Sequence, residues 1–100
     1  MAMAKFVVSR SASAQPEAIY EFTDARMGNY QAEAYLEGFN HIFNLLADFP
    51  RIGVHADEFR VGLRRHRYQS HYIFYTEEAD HIFIRDIFHV SQNLRPSMFD

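Results

Sequence analysis

The stretch from about Tyr30 to Asp48 carries the pattern that most restricts how this chain can fold. Its apolar residues recur at spacings of 4, 3, 4 and 3, at Ala32, Leu36, Phe39, Phe43 and Leu46. Such spacing places an apolar stripe along one side of an α-helix and leaves the other sides polar. Phe49-Pro50 ends the pattern, because proline disfavours helical geometry in the residue before it. The sequence therefore predicts a helix with one buried face, which must pack against another layer.

Three β-strands are predicted after this helix and one before it. The predicted strands cover residues 6–8, 63–68, 70–76 and 81–89, and a first helix is predicted over residues 13–27, with Pro16 in its first turn and Gly28 as its stop. Short connections favour antiparallel pairing, and residues 51–61, which show no periodicity, are interpreted as a loop. Strict alternation cannot place all isoleucines of the last strand on one face, so a β-bulge is predicted near Arg85-Asp86. The expected fold class is α+β with the order βααβββ, a helical hairpin packed on a small, mainly antiparallel sheet.

The composition fits one domain over residues 1–100. Of the 100 residues, 48% are hydrophobic, and domains commonly contain ~100–150 residues. There is no cysteine, so disulfides and thiolate metal sites are excluded. Residues 1–9 contain one lysine and too short an apolar stretch for a signal peptide or a membrane span. We therefore expect a cytoplasmic protein that does not enter a membrane.

A run of arginines between Phe59 and Tyr75 gives the clearest indication of function. It contains Arg60, Arg64, Arg65 and Arg67, two histidines and no acidic residue, although the net charge of the whole chain is −3. Guanidinium groups suit phosphate or carboxylate partners, so the run predicts an anionic partner. The alternative is an ordinary charged surface, on which the acidic residues of 77–86 form ion pairs with these arginines.

Five segments, taken in order, are typical of one known family. They are GNYQAEAYL at 28–36, LADFPRIG at 46–53, RVGLR at 60–64, SHYIFY at 70–75 and IRDIFH at 84–89. In order and spacing they resemble the ParE/RelE toxin superfamily, on its ParE side. The resemblance implies the βααβββ fold and a bacterial or plasmid type II toxin–antitoxin module, in which a small antitoxin wraps and neutralises the toxin.

The resemblance leaves two modes of action open. ParE-like members are linked to poisoning of DNA gyrase, and RelE-like members cleave messenger RNA on the ribosome. Cleavage needs groups that stabilise the phosphate and transfer a proton. The candidates are Arg64, Arg67, Arg85 and His89. RelE-like cleavers, however, resemble each other in a lysine-rich loop and a late tyrosine, whereas Lys5 is the only lysine here and no tyrosine lies near the C-terminal end of the sequence.

The preferred hypothesis is therefore a non-enzymatic toxin that binds its partners. The partners are a ParD-like antitoxin and DNA gyrase, in particular its A subunit, with no direct contact to nucleic acid. The residues expected to contact antitoxin or target are Arg60, Arg64, Arg65, Arg67, Arg85 and His89. No metal is expected, because the six histidines form no His-x-x-x-His pair on a predicted helix. No cofactor is expected, since phosphate-loop and dinucleotide fingerprints are missing from the sequence.

The tail after the last predicted strand, residues 90–100, shows no regular periodicity. It contains Pro96 and ends in the apolar pair Met98 and Phe99, followed by Asp100. Two outcomes stay open: the apolar side chains pack against the same chain, or they await a partner.

Overall fold

A computed structural model describes residues 6–14, 25 and 28–99 of this chain. In chain order, its regular elements are β1 (Phe6–Val8), the long helix (Asn29–Asp48), β2 (Val54–His55), β3 (Leu63–Tyr68), β4 (His71–Glu77), β5 (Ile82–His89) and a 3₁₀-helix (Pro96–Phe99). The predicted α+β class is confirmed. The last three strands begin and end within one residue of their predicted bounds.

The five strands form one mixed sheet in the order β1-β5-β4-β3-β2. β1 is parallel to β5, and every other neighbouring pair is antiparallel. The prediction that residues 51–61 form only a loop is wrong, because Val54 and His55 pair with Arg65 and Arg64 as β2. Two residues are too few to show the alternation by which a strand is recognised in a sequence.

The chain enters its first helix directly after β1. Residues 10–14 are helical, and Ser9 caps them, since its Oγ accepts a hydrogen bond from the backbone N–H of Ala12 over 3.0 Å. The helix therefore begins three residues earlier than predicted. Most of the helix predicted over 13–27, including Pro16, lies outside the described residues, and so does its pairing with the long helix.

The long helix has nearly the boundaries that the sequence predicts. It follows Gly28, whose φ of 87° suits glycine, and it ends directly before Phe49. All residues of the predicted stripe are buried except Leu36, which is 37% exposed. Tyr35 packs against the core instead, so the buried face is rotated in the first half of the helix. Within the described part of the chain, no helix combines the length and the apolar character needed to cross a bilayer.

The long helix covers one face of the sheet, which we call the inner face. The buried cluster between helix and sheet includes Phe39, Phe43, Leu46, Ile73, Tyr75, Ile82, Ile84 and Ile87. Full burial of an aliphatic or aromatic side chain contributes roughly 1.5–3 kcal/mol. This cluster is therefore a main source of the stability of the fold.

A β-bulge in β5 brings its three isoleucines to the inner face. Phe74 of β4 pairs with Asp86, but the next residue, Tyr75, pairs with Ile84, so that Arg85 is skipped in the pairing. Side chains alternate along a strand, and one extra residue shifts the alternation by one position. The isoleucines on both sides of the bulge are consequently buried in the same cluster. The bulge predicted near Arg85-Asp86 is confirmed.

The opposite face of the sheet, which we call the outer face, carries a second apolar cluster. Its buried members are Ala56, Leu63, Phe74 and Phe99. Phe99 belongs to the 3₁₀-helix, so the tail packs against its own chain, which decides between the two outcomes that the sequence leaves open. The centroid of its ring lies 4.7 Å from that of Phe74 and 5.4 Å from that of Phe88.

Gly38 allows the long helix to lie directly on Tyr68 of β3. A methyl group at Gly38 would collide with the hydroxyl group and the ring of Tyr68. The Tyr68 hydroxyl donates a hydrogen bond to the carbonyl oxygen of Tyr35 over 3.3 Å, and its ring centroid lies 4.9 Å from that of Phe39. These contacts hold the ring, so it cannot withdraw freely from a larger residue at position 38.

We predict that Gly38→Ala destabilises the chain, although the same change stabilises most helices. Alanine favours a helix by about 1 kcal/mol over glycine, whereas an extra methyl group in a packed site costs about 1–3 kcal/mol. Because the collision involves ring atoms, we expect the free energy of unfolding in urea to fall by about 1–2 kcal/mol. In a Tyr68→Ala background the collision is absent, and Gly38→Ala should be stabilising there. Equal effects in the two backgrounds would contradict this contact.

Candidate binding surface

The arginine run lies mostly on β3 and is divided between the two faces of the sheet. Leu63 points into the outer cluster, so Arg65 and Arg67, two and four residues further along the strand, point to the same side. Arg64 points to the inner face, in one row with its pairing partner Tyr75. Successive side chains of a strand point to opposite faces. The order of these residues in the sequence is therefore the signal that separates Arg64 from Arg65 and Arg67.

Arg64 holds the connection between the long helix and β2. Its Nη1 donates a hydrogen bond to the carbonyl oxygen of Gly53 over 2.8 Å and another to that of Arg51 over 3.4 Å. Tyr75 fixes the same connection, because its hydroxyl donates to the carbonyl oxygen of Pro50 over 2.7 Å and accepts from the N–H of Gly53 over 3.0 Å. The guanidinium group of Arg64 is thus bound to backbone carbonyl groups of the connection, and it lies apart from the outer face.

Four arginines of the predicted surface share the outer face. We call Arg60, Arg65, Arg67 and Arg85 the outer arginines. Arg65 lies over the ring of Tyr72, with its Cζ atom 4.8 Å from the ring centroid. Arg67 donates a hydrogen bond from Nε to the carbonyl oxygen of Gln69 over 2.8 Å. Both guanidinium groups are therefore positioned by a neighbour without being neutralised by it.

The other two outer arginines lie near one another. Arg60 donates from Nη1 to the carbonyl oxygen of Phe99 over 3.2 Å, and Arg85 donates from Nε to Oγ1 of Thr76 over 3.2 Å. Burial lowers the pKa of Arg85, and the charge of Arg60 lowers it further, while two nearby carboxylates act in the opposite direction. The two cations are thus close enough to repel each other.

The outer arginines form no ion pair with a described carboxylate. The ion pairs in the described ranges are Arg51–Glu77, His55–Asp57 and His81–Asp80. A guanidinium group has five N–H donors, and each outer arginine uses at most one of them in a hydrogen bond to another described residue. Ion pairs with the acidic residues of 77–86 therefore do not describe them, and most of their donors bind no other residue in the described part of the chain.

Asp86 is a half-buried carboxylate beside these arginines, at an outer-face position opposite Phe74. Burial raises the pKa of its carboxyl group to about 6, although Arg85 acts in the opposite direction. A cavity of about 160 Å³ adjoins it, lined by Ser9, Ser11, Phe83, Arg85, Asp86 and Phe99. The sequence pattern did not mark Asp86 as a site residue, because its burial depends on the tail and on β1.

His89 lies on the inner face, apart from the outer arginines. Strand pairing places it in one row with His71 and Tyr68. Its ring centroid is 5.2 Å from that of His71, and its Nδ1 is 2.7 Å from Oγ of Ser91. The hydroxyl of Tyr35 reaches the same row, 2.9 Å from Nδ1 of His71.

Burial and the neighbouring His89 lower the pKa of His71 from 6.5, so the contribution of His71 to stability is lost as the pH falls below that value.

The four candidate catalytic residues do not converge. Arg67 and Arg85 lie on the outer face, whereas Arg64 and His89 lie on the inner face. Moreover, the row that contains Arg64 and the row that contains His89 are four residues apart along β3, which corresponds to ~13 Å at the usual rise of a strand. One phosphate group cannot contact all four side chains.

A solved structure has the same fold as this chain. It belongs to the chromosomal ParDE toxin–antitoxin system from P. aeruginosa, and the two chains superimpose with a TM-score of 0.72. The match covers 87% of this chain and 96% of that chain at 19% sequence identity. At this level of identity the similarity establishes the fold alone.

Sequence comparisons assign the chain to a protein family. The family described as "ParE toxin of type II toxin-antitoxin system, parDE" matches residues 6–94. Toxin ParE1 of Mycobacterium tuberculosis (strain CDC 1551 / Oshkosh) is 39% identical over 71 residues, which cover 71% of this chain and 72% of the relative. Toxin ParE1 of Caulobacter vibrioides is 30% identical over 93 residues, which cover 93% of this chain and 96% of the relative. The chain belongs to the ParE toxin family of type II toxin–antitoxin systems, as the resemblance predicted.

The raised pKa of Asp86 predicts a distinct pH dependence of stability. Between its unfolded pKa of 3.8 and its folded pKa of about 6, the folded state binds more protons than the unfolded state, so stability falls as the pH rises through this window. Asp86→Asn removes this titration. The variant should therefore become progressively more stable relative to the wild type as the pH rises from 4 to 6, with a constant difference above that range.

Thermal unfolding at a series of pH values measures the difference. The exposed Asp48→Asn is the matched control, because it makes the same chemical change on the surface of the long helix. A difference between wild type and Asp86→Asn that does not vary with pH would contradict the unfavourable burial of this carboxylate.

Proposed function

We propose that this chain, as a single domain over residues 1–100, is the toxin of a type II toxin–antitoxin pair in the cytoplasm. A ParD-like antitoxin holds it inactive, and the free toxin binds and inhibits a protein target such as DNA gyrase. The observation that carries the antitoxin part is the set of outer arginines, which share one face and form no ion pair within the described residues. Membership of the ParE toxin family supports the pairing with an antitoxin.

An acidic antitoxin segment supplies carboxylates, with which the outer arginines form no ion pair among the described residues. Carboxylates match guanidinium groups in a bidentate geometry, and such charge-assisted hydrogen bonds are stronger than neutral ones. Arg65 and Arg67 are already positioned by Tyr72 and Gln69, so less side-chain freedom is lost when a ligand binds. The charge pairs then set the register of the docked segment and accelerate its association.

Inhibition by binding also fits the positions of the candidate catalytic residues better than cleavage of RNA. A nuclease must bring its phosphate-stabilising and proton-transferring groups to one phosphate, and here Arg67 and Arg85 lie on the opposite face from Arg64 and His89. A toxin that acts on a protein needs only a complementary surface. DNA gyrase is the proposed target because the five quoted segments resemble the ParE side of the superfamily.

Charge reversal on the outer face should weaken antitoxin binding. Arg65→Glu and Arg67→Glu each remove a charge-assisted hydrogen-bonding group worth about 1.5–3 kcal/mol. We expect the double variant to bind the antitoxin from the neighbouring gene at least about 100-fold more weakly in isothermal titration calorimetry. Its folding should change little, since charges at the protein surface contribute only ~0–1 kcal/mol to stability.

Arg10→Glu is the matched control for this experiment. It makes the same change at an exposed residue next to β1, an edge strand that β5 and β4 separate from β3, and it should leave antitoxin affinity unchanged. Arg64→Glu should instead lower thermal stability, because it loses the hydrogen bond to Gly53. An unaltered affinity of the Arg65/Arg67 double variant, or an equal loss with Arg10→Glu, would contradict the assignment of the outer face.

Two assays with the purified toxin test its mode of action. The toxin should inhibit supercoiling by DNA gyrase, and prior addition of the antitoxin should restore full supercoiling. The same preparation should leave messenger RNA intact on translating ribosomes. Ribosome-dependent cleavage without any effect on supercoiling would replace the gyrase proposal by the alternative of a RelE-like endoribonuclease.

A further inference from the structure

Phe99 fills a pocket that three phenylalanine rings form on the outer face. We call Phe59, Phe74 and Phe88 the aromatic pocket, since their ring centroids lie 5.1, 4.7 and 5.4 Å from that of Phe99. Phe99 is only 2% exposed. The last described residue of the tail is therefore buried as deeply as a core side chain.

The rim of the aromatic pocket is polar and positively charged. On one side, Arg60 binds the carbonyl oxygen of Phe99 over 3.2 Å. Arg85 lines the cavity of about 160 Å³ beside Phe99, together with one carboxylate, Asp86. The charge of Arg60 lowers the pKa of Arg85, although Glu78 and Asp86 act in the opposite direction. The two cations therefore lie close to each other, and both would attract an anionic group placed next to the aromatic ring. In the sequence, Asp100 follows Phe99 directly.

Apart from Phe99, little holds the tail in place. Residues 93–95 have no regular secondary structure, and the 3₁₀-helix has four residues. Among the described residues, the contact from Arg60 is the one hydrogen bond that joins residues 93–99 to the rest of the chain. Leu94 and Met98 add apolar contacts that are only partly buried. A competing segment would therefore have to replace mainly the ring of Phe99 and the one hydrogen bond from Arg60.

We infer that the aromatic pocket is an exchangeable docking site for an acidic partner segment with an aromatic anchor, and that Phe99 is its resting occupant. Phe99 defines two parts of the ligand chemistry, namely an aromatic ring and a backbone carbonyl for Arg60. The two guanidinium groups at the rim, those of Arg60 and Arg85, favour an adjacent acid as the third part. On binding, the segment displaces the tail and places its carboxylate near Arg60 and Arg85. Only the origin of the segment rests on the proposed function, which assigns it to the antitoxin.

A peptide with the sequence of residues 93–100, NLRPSMFD, tests the pocket without any antitoxin. Its C-terminus is amidated, so that the aspartate supplies its only carboxylate. Phe99→Ala empties the pocket in the full chain, and this variant should bind the labelled peptide saturably in fluorescence anisotropy. The wild-type chain should bind it roughly ten-fold or more weakly, because only the fraction with an open pocket is competent.

Two control peptides separate the anchor from the charge. Replacement of the phenylalanine by alanine should abolish binding to the Phe99→Ala chain, and replacement of the aspartate by asparagine should weaken it. The inference is overturned if the folded Phe99→Ala chain binds no peptide saturably, or if the peptide without the aromatic ring binds equally well.

A second measurement applies if Phe99→Ala does not fold. In ¹H–¹⁵N NMR spectra of the wild-type chain, excess peptide should move the amide signals of residues 94, 95 and 97–99 towards those of an unstructured segment, and unchanged signals would refute the site. If the peptide does not bind, the proposal that the antitoxin binds at Arg65 and Arg67 is unaffected. Conversely, an antitoxin that fails to bind leaves a positive peptide result intact.

Discussion

The bulge at Arg85 is the constraint on which both faces of the sheet depend. Without it, the pairing of Phe74 with Asp86 would continue by placing Arg85 opposite Tyr75, and the guanidinium group would enter the inner cluster. A buried charge without a partner is strongly destabilising. The isoleucines before the bulge would also turn away from the long helix. One skipped residue therefore buries the isoleucines and presents Arg85 and Asp86 together on the outer face.

On the inner face, two tyrosines attach the long helix, and the connection that follows it, to the sheet. Tyr68 lies against the helix at Gly38, and Tyr75 binds the backbone at Pro50 and Gly53. Each presents a large apolar ring to the cluster and a hydroxyl group to a backbone partner, which avoids an unsatisfied polar atom in the interior. The inner face is thereby engaged by the chain itself, and Arg64 takes part in the same framework.

The outer face has the opposite character, because its apolar cluster is covered by a short tail and surrounded by cations. The outer arginines are positioned by an aromatic ring, by backbone carbonyls or by a hydroxyl group, and these partners carry no negative charge. Such a surface is suited to an acidic, partly apolar segment. Under the proposed function, this separation of a structural face from a charged face is the physical basis for neutralisation by a protein partner.

Local patterns determined much of the fold before any tertiary contact was known. The stripe from Ala32 to Leu46 fixed the long helix, and the run of isoleucines in β5 located the bulge, because both follow from the periodicity of a single element. The five quoted segments identified the family. Leu36 and Val54 were misassigned, since the first depends on how the helix is rotated and the second belongs to a strand of two residues that pairing alone defines.

The candidate site was predicted less completely than the fold. The sequence by itself predicted the arginines between Phe59 and Tyr75 as a candidate binding region, because a run of positive charge without an acidic residue is visible in the chain order. Only the tertiary structure decided that Arg64 serves the chain itself while Arg65 and Arg67 face outward, that Asp86 is half-buried, and that Phe99 closes the outer cluster. These features depend on pairing and packing between residues far apart in the chain, which no local pattern encodes.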